Sequence, residues 1–231
     1  MQLIKQKGFT LAEVLITLGI IGIVAAISIP TLISKMQKQQ VETRMQHIHS
    51  TLLQGFKMHQ AKDEWYDFLS IHADNKEHSK KIFKEFFAPI FTGTTEYNGK
   101  TLKAYSRNGG ATYQENNVAF FTLNNGVVLG LRSQSNGNML TFYIHLAPQK
   151  KRPIVGKDYF VLSYKDKDGN GNYEYSSNSS NRYNESTRTA FLNACGSEMR
   201  YPLYASGAED LCTVILVKNN FKFPKDYPIK F

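Results

Sequence analysis

From Phe9 to Ile29 the chain reads FTLAEVLITLGIIGIVAAISI, apolar but for one charge, Glu13, and Pro30 follows at once. As a helix this run spans roughly 30 Å, the thickness of a bilayer core. Glu13 lies about 6 Å inside the helix start and reaches the headgroup region. A charge at the bilayer centre costs about 3 kcal/mol or more and less near the edge, so such a carboxylate marks a functional position. It asks for a cation. A cut between Gly8 and Phe9 would supply one, the new α-amine of Phe9. The rival is a secretory signal removed after the apolar run, where Ala25, Ala26 and Ser28 imitate a small-residue cut site. Glu13 argues against that, because it gains nothing in a discarded peptide.

The stretch KGFTLAEVLITLGIIGIVAAISIP, preceded by the basic MQLIKQ, resembles the signal sequence of type IV prepilins and type II secretion pseudopilins. The resemblance implies that a prepilin peptidase cuts after Gly8 and methylates the amine of Phe9. It also implies that Glu13 pairs with a neighbouring subunit's N-terminal amine in a fibre. An unpaired carboxylate in a low-dielectric helix bundle is costly, so Glu13 acts there as a register device. Gly22 and Pro30 fall at spacings typical of the family. Pro30 lacks an N–H, and Gly19 and Gly22 permit close helix approach. Residues 19–30 are therefore either a bendable stretch used in packing or a simple kink at the membrane exit.

After Pro30, Val41, Met45, Ile48, Leu52 and Phe56 recur at helical spacing, which predicts one long helix from Phe9 to about His59. Ile82, Phe83, Phe86 and Phe87 make a second amphipathic pattern within residues 64–91, ended by Pro89. The pattern then changes. VAFFTL (118–123) and VVLGLR (127–132) flank Asn124-Asn125-Gly126, a hairpin signal. MLTFYIH (139–145), YFVLSYK (159–165) and TVILVK (213–218) read as strands, and short connections make them antiparallel. Residues 176–186 are a polar loop. The expected fold is α+β: a long N-terminal helix, membrane-spanning in its first half, packed on an antiparallel sheet. The expected division is a leader at 1–8, a transmembrane and assembly helix at 9–30, and a pilin-like globular domain at 31–231.

Two sites of chemistry remain. Asp166-Lys-Asp168-Gly-Asn170-Gly171 matches the first half of a calcium loop, with Glu174 near, although the last expected ligand position holds Ser177. The alternative is a polar turn, since Asp, Gly and Asn dominate turns. Cys195 and Cys212 are either a disulfide, as an oxidising compartment favours, or two unrelated thiols. The family resemblance implies the disulfide, bordering a C-terminal region. The histidines lack ligand spacing and read as solvated. No nucleophile elbow, phosphate loop or zinc pattern is present, and the expectation is no enzyme.

The formal charge is +9, which favours acidic partners such as nucleic acid or anionic headgroups, or merely gives solubility. Basic runs lie at Lys80/Lys81/Lys84 and Lys150-Lys151-Arg152. The reading is a structural subunit of a pilus-like or secretion pseudopilus filament. It waits in the cytoplasmic membrane with its N-terminus inside and its domain outside, and then enters a filament. Its implied partners are other copies and pilin subunits, prepilin peptidase, an inner-membrane assembly platform and the lipid bilayer. The alternatives are a minor pilin binding DNA or a surface ligand, and a secreted enzyme with a prepilin-like N-terminus.

Overall fold

The computed structural model describes residues 8–62, 74–107, 109–113, 117–134, 138–176, 182–196 and 208–231. The chain divides into two compact units at Gln40 and Val41, the second ending at Lys230. Helix α1 is continuous from Leu11 to Gln60, with Pro30 inside it.

In the N-terminal unit, α1 exposes apolar side chains on every side: Leu15, Ile16, Ile20, Ile23, Ile27 and Leu32 are among them. Its start is fixed locally. Thr10 and Glu13 form the reciprocal pair in which a threonine cap and a glutamate three residues on satisfy each other's backbone N–H groups.

In the globular unit, α1 buries Met45, Ile48, Leu52 and Phe56, the stripe that the spacing predicts. A short helix α2, Lys76–Ile82, is capped by Asn75, whose side chain accepts the His78 N–H at 2.8 Å. It runs into a π-helical turn at Phe83–Phe87, before Pro89. The part of the expected helical segment at 64–73 lies outside the described residues.

The strands are β1 (Thr95–Glu96), β2 (Lys103–Tyr105), β3 (Ala111–Tyr113), β4 (Ala119–Thr122), β5 (Val128–Gln134), β6 (Met139–His145), β7 (Tyr159–Asp166) and β8 (Tyr173–Tyr175). Six of them form an antiparallel sheet in the order β1-β4-β5-β6-β7-β8, and β2 and β3 pair separately. From β4 to β8 the sheet is an antiparallel meander in chain order, with a longer connection, residues 146–158, between β6 and β7. At the β4–β5 reversal, Leu123 and Val127 close the turn at 2.8 Å and Gly126 sits at φ +80°, where glycine carries no Cβ penalty.

The sheet is covered on both faces. Phe142 and Tyr164 meet Phe56 of α1, and Phe121 stacks on Phe83 with ring centroids 3.9 Å apart. Phe120, Tyr143, Tyr159 and Val161 form the other face and pack with Phe191, Leu192, Val214 and Ile215. The last four belong to α3 (Arg188–Ala194) and α4 (Ala208–Lys218). Gly130 fits this packing closely: a Cβ there would lie 2.5 Å from the Phe120 ring.

One predicted strand is a helix. TVILVK (213–218) belongs to α4, although its β-branched run fits a strand by propensity. A short apolar run has no period that separates buried helix from buried strand, and here tertiary context decides. Strand β8 pairs only with residues 164–166 of β7, and beside the uncovered stretch Thr213 Oγ1 accepts the Val161 N–H at 3.1 Å. The helix thus covers an edge that would otherwise offer unpaired backbone groups.

Candidate assembly site

Gly8 and Phe9 are exposed, Phe9 by 87%. Glu13 Oε2 accepts the Thr10 N–H and the Thr10 hydroxyl, each at 2.8 Å, and the Glu13 N–H returns to Thr10 Oγ1 at 3.3 Å. Both Thr10 bonds end on one carboxylate oxygen, so the cap leaves Oε1 for another donor. The sequence reading missed this second role of Glu13, though Thr-Leu-Ala-Glu at 10–13 is the capping-box pattern. Among the described residues, and apart from the helix's own backbone, nothing lies within 4 Å of a Cβ placed at Gly19 or Gly22. That face is open to another helix. Pro30 lies within α1. The helix is long and apolar enough to cross a membrane by length and composition.

Cys195 and Cys212 form a disulfide across a sequence separation of 17, tying the end of α3 to α4 in the core. Gly156, at φ +80°, packs on it: a Cβ there would meet Cys212 Sγ at 2.7 Å. Tyr227 donates its hydroxyl hydrogen to the Gly156 carbonyl at 2.7 Å, which fastens the C-terminal tail at the same place.

The Asp166 loop is organised by its own first residue. Asp166 Oδ1 accepts N–H groups from Asp168, Gly169 and Asn170 at 3.0–3.3 Å, and Oδ2 accepts that of Gly171 at 2.7 Å. Gly169 and Gly171 take positive φ, which lets successive N–H groups converge on the buried carboxylate. Glu174 turns to Lys167 at 2.8 Å. Among the described residues, no three His, Cys, Asp or Glu side chains gather as metal ligands.

Histidine burial corrects the sequence reading. His59, His78 and His145 are buried, and His49 is half-buried. His49 Nδ1 lies 2.7 Å from the Tyr164 hydroxyl. Burial lowers the His49 pKa, while burial and then Tyr175 push that of Tyr164 well up. The neutral tautomer in which Tyr164 donates to Nδ1 fits both shifts. Burial pushes His145 down to about 3. A histidine's burial depends on what a distant strand or helix brings over it, and spacing does not report that. Of the basic runs, Lys80 and Lys84 face Glu96 at 2.7 and 3.7 Å, and Lys150 faces Asp158 at 2.5 Å.

A long N-terminal helix, its later part packed on an antiparallel sheet, is an α+β arrangement consistent with a pilin-like fold. Residues 3–29 match the prokaryotic N-terminal methylation motif, so the chain carries a type IV pilin-like prepilin signal, marked for membrane anchoring. Residues 31–231 match a family described as a family of unknown function (DUF6613), and the chain belongs to that family. No curated protein and no solved structure matches the chain.

Proposed function

We propose that this chain is a structural subunit of a type IV pilus-like or type II secretion pseudopilus filament, polymerised through its N-terminal helix. One observation carries the reading. The methylation motif opens a helix whose first stretch holds no buried residue and bears one carboxylate, Glu13. An apolar surface of that extent does not stay in water. Lipid covers it while the subunit waits in the membrane, and neighbouring helices cover it in the filament.

In this reading, prepilin peptidase cuts between Gly8 and Phe9 and methylates the Phe9 amine, which keeps its charge. Glu13 Oε1 then takes the ammonium of an adjoining copy while Oε2 keeps the Thr10 cap. The pairing disfavours subunits in the wrong axial register, because a carboxylate buried without its partner costs several kcal/mol. Gly22 and Pro30 serve helix packing, and the disulfide holds the outer domain together outside the cytoplasm.

The mass of the mature N-terminus tests the processing: a start at methylated Phe9 is expected, and a start beyond Ala26 would overturn it. Glu13→Gln then separates charge from capping, because glutamine still completes the capping box. That variant is expected to insert and be processed normally but to assemble poorly. Normal filaments would refute the register role.

A further inference from the structure

Val41 opens the globular unit, and two segments distant in sequence close around the first turn of α1 there. Glu42 accepts the Phe223 N–H at 2.8 Å and the Lys222 ammonium at 3.2 Å. Arg44 reaches the Leu146 carbonyl at 3.5 Å. The Leu146 N–H donates to the Asp158 carbonyl, and the Asp158 carboxylate holds Lys150 and the Ile154 N–H. Lys157 donates to the Lys230 carbonyl at 3.0 Å. The connection at 146–158 and the tail at 221–230 thus form one rim at the end where α1 enters.

The rim is basic. Lys150, Lys151, Lys222, Lys225 and Lys230 are exposed, and Lys157 is partly so. The acids are already engaged: Glu42 and Asp158 are buried, each against one lysine and one backbone N–H, and Asp226 is held by Arg188 at 2.7 Å. Burial, and then the Lys150 charge, lower the Lys157 pKa, while Asp158 raises it.

Chain length limits how far the start of the globular unit can lie from the apolar run. Only residues 31–40 separate Pro30 from Val41, about 15 Å as helix. Within the globular unit the tail runs along α1 from Phe221, beside the His49 ring, to Phe223 at Glu42, towards the residue at which that unit begins. We propose that this rim is a docking surface for anionic lipid headgroups on the membrane face from which the domain emerges. The inference rests on the anchored-subunit reading above. Tethering gives the headgroups a high effective concentration at the rim, an advantage that no free polyanion has. Lysines on flexible stems suit such point contacts better than sequence-specific ones. The contact lays the domain against the bilayer before extraction.

The test uses the full chain in nanodiscs of phosphatidylcholine alone or with phosphatidylglycerol added. The readout is the acetylation rate of each lysine by mass spectrometry. With phosphatidylglycerol, Lys151 and Lys225 are expected to slow by roughly threefold or more, and high salt to restore them. Lys76 and Lys165, which are exposed at the far end of the sheet, are expected not to change. The double variant Lys151→Glu/Lys225→Glu is expected to lose the protection at Lys150 and Lys230. Equal rates at Lys151 and Lys225 in both discs, in a chain that has inserted, would overturn the rim alone. Failure to insert in either disc would overturn the anchored reading and the rim with it. Protection by duplex DNA over phosphatidylcholine discs, with none from phosphatidylglycerol, would assign the face to nucleic acid and refute the lipid.

Discussion

The globular unit is expected to lose stability in acid because of His145, at the end of β6. The side chain is 4% exposed, with its ring 4.6 Å from Tyr159 and 6.1 Å from Phe120, and its Nδ1 has no hydrogen-bond partner among the described residues. Its pKa is lowered from 6.5 to about 3 by burial. Between those values the unfolded chain binds a proton that the folded chain refuses. The stabilisation is therefore complete above pH 6.5 and is lost as pH falls towards 3, at about 1.4 kcal/mol per pH unit. By pH 5 the loss is about 2 kcal/mol, and by pH 3 it is about 4–5, comparable with a whole domain's stability. His49 and His78 are lowered by burial too and act in the same sense. Glu96 and Asp226, lowered first by their hydrogen bonds to Lys80 and Arg188, also favour the folded state above their titration range. The comparison must therefore isolate His145. Urea unfolding of the full chain in detergent, followed by near-ultraviolet circular dichroism, would be measured for the wild type and for His145→Leu. Between pH 6.5 and about pH 5, the wild type should lose about 2 kcal/mol more than the variant. A difference between the two that stayed constant with pH would refute a neutral, desolvated His145.

Glu42→Ala leaves the buried Phe223 N–H unpaired and should cost about 1–3 kcal/mol, whereas Lys222→Ala, at an exposed ammonium, should cost under about 1; paired urea titrations check the ranking. Asp166→Ala removes the acceptor of four N–H groups, so amide exchange at residues 168–171 should accelerate by at least about tenfold, and addition of calcium to the wild type measures whether the loop also takes a cation. Cys195→Ser with Cys212→Ser removes a cross-link of sequence separation 17 and should lower stability by about 3 kcal/mol in the same titration.

Part of this protein follows from neighbours in sequence alone. The apolar run, its one carboxylate and the flanking glycine and phenylalanine make the prepilin signal recognisable, because a peptidase and a bilayer both read a linear stretch. The stripe Met45, Ile48, Leu52, Phe56 and the Asn-Asn-Gly reversal follow from helical period and turn chemistry, which are also local. Residues 213–218 did not yield to the same reasoning, because a short β-branched run satisfies either backbone when its residues, here Thr213 to Leu216, are buried on every side. The half-open edge of β7, the disulfide and the facing core made it a helix. Likewise, only the folded chain turned Asp166 inward onto four backbone groups, buried His145 beneath Tyr159 and Phe120, and brought residue 223 to residue 42. Burial and pairing across such separations are cooperative properties of packed layers, and no window of sequence contains both partners.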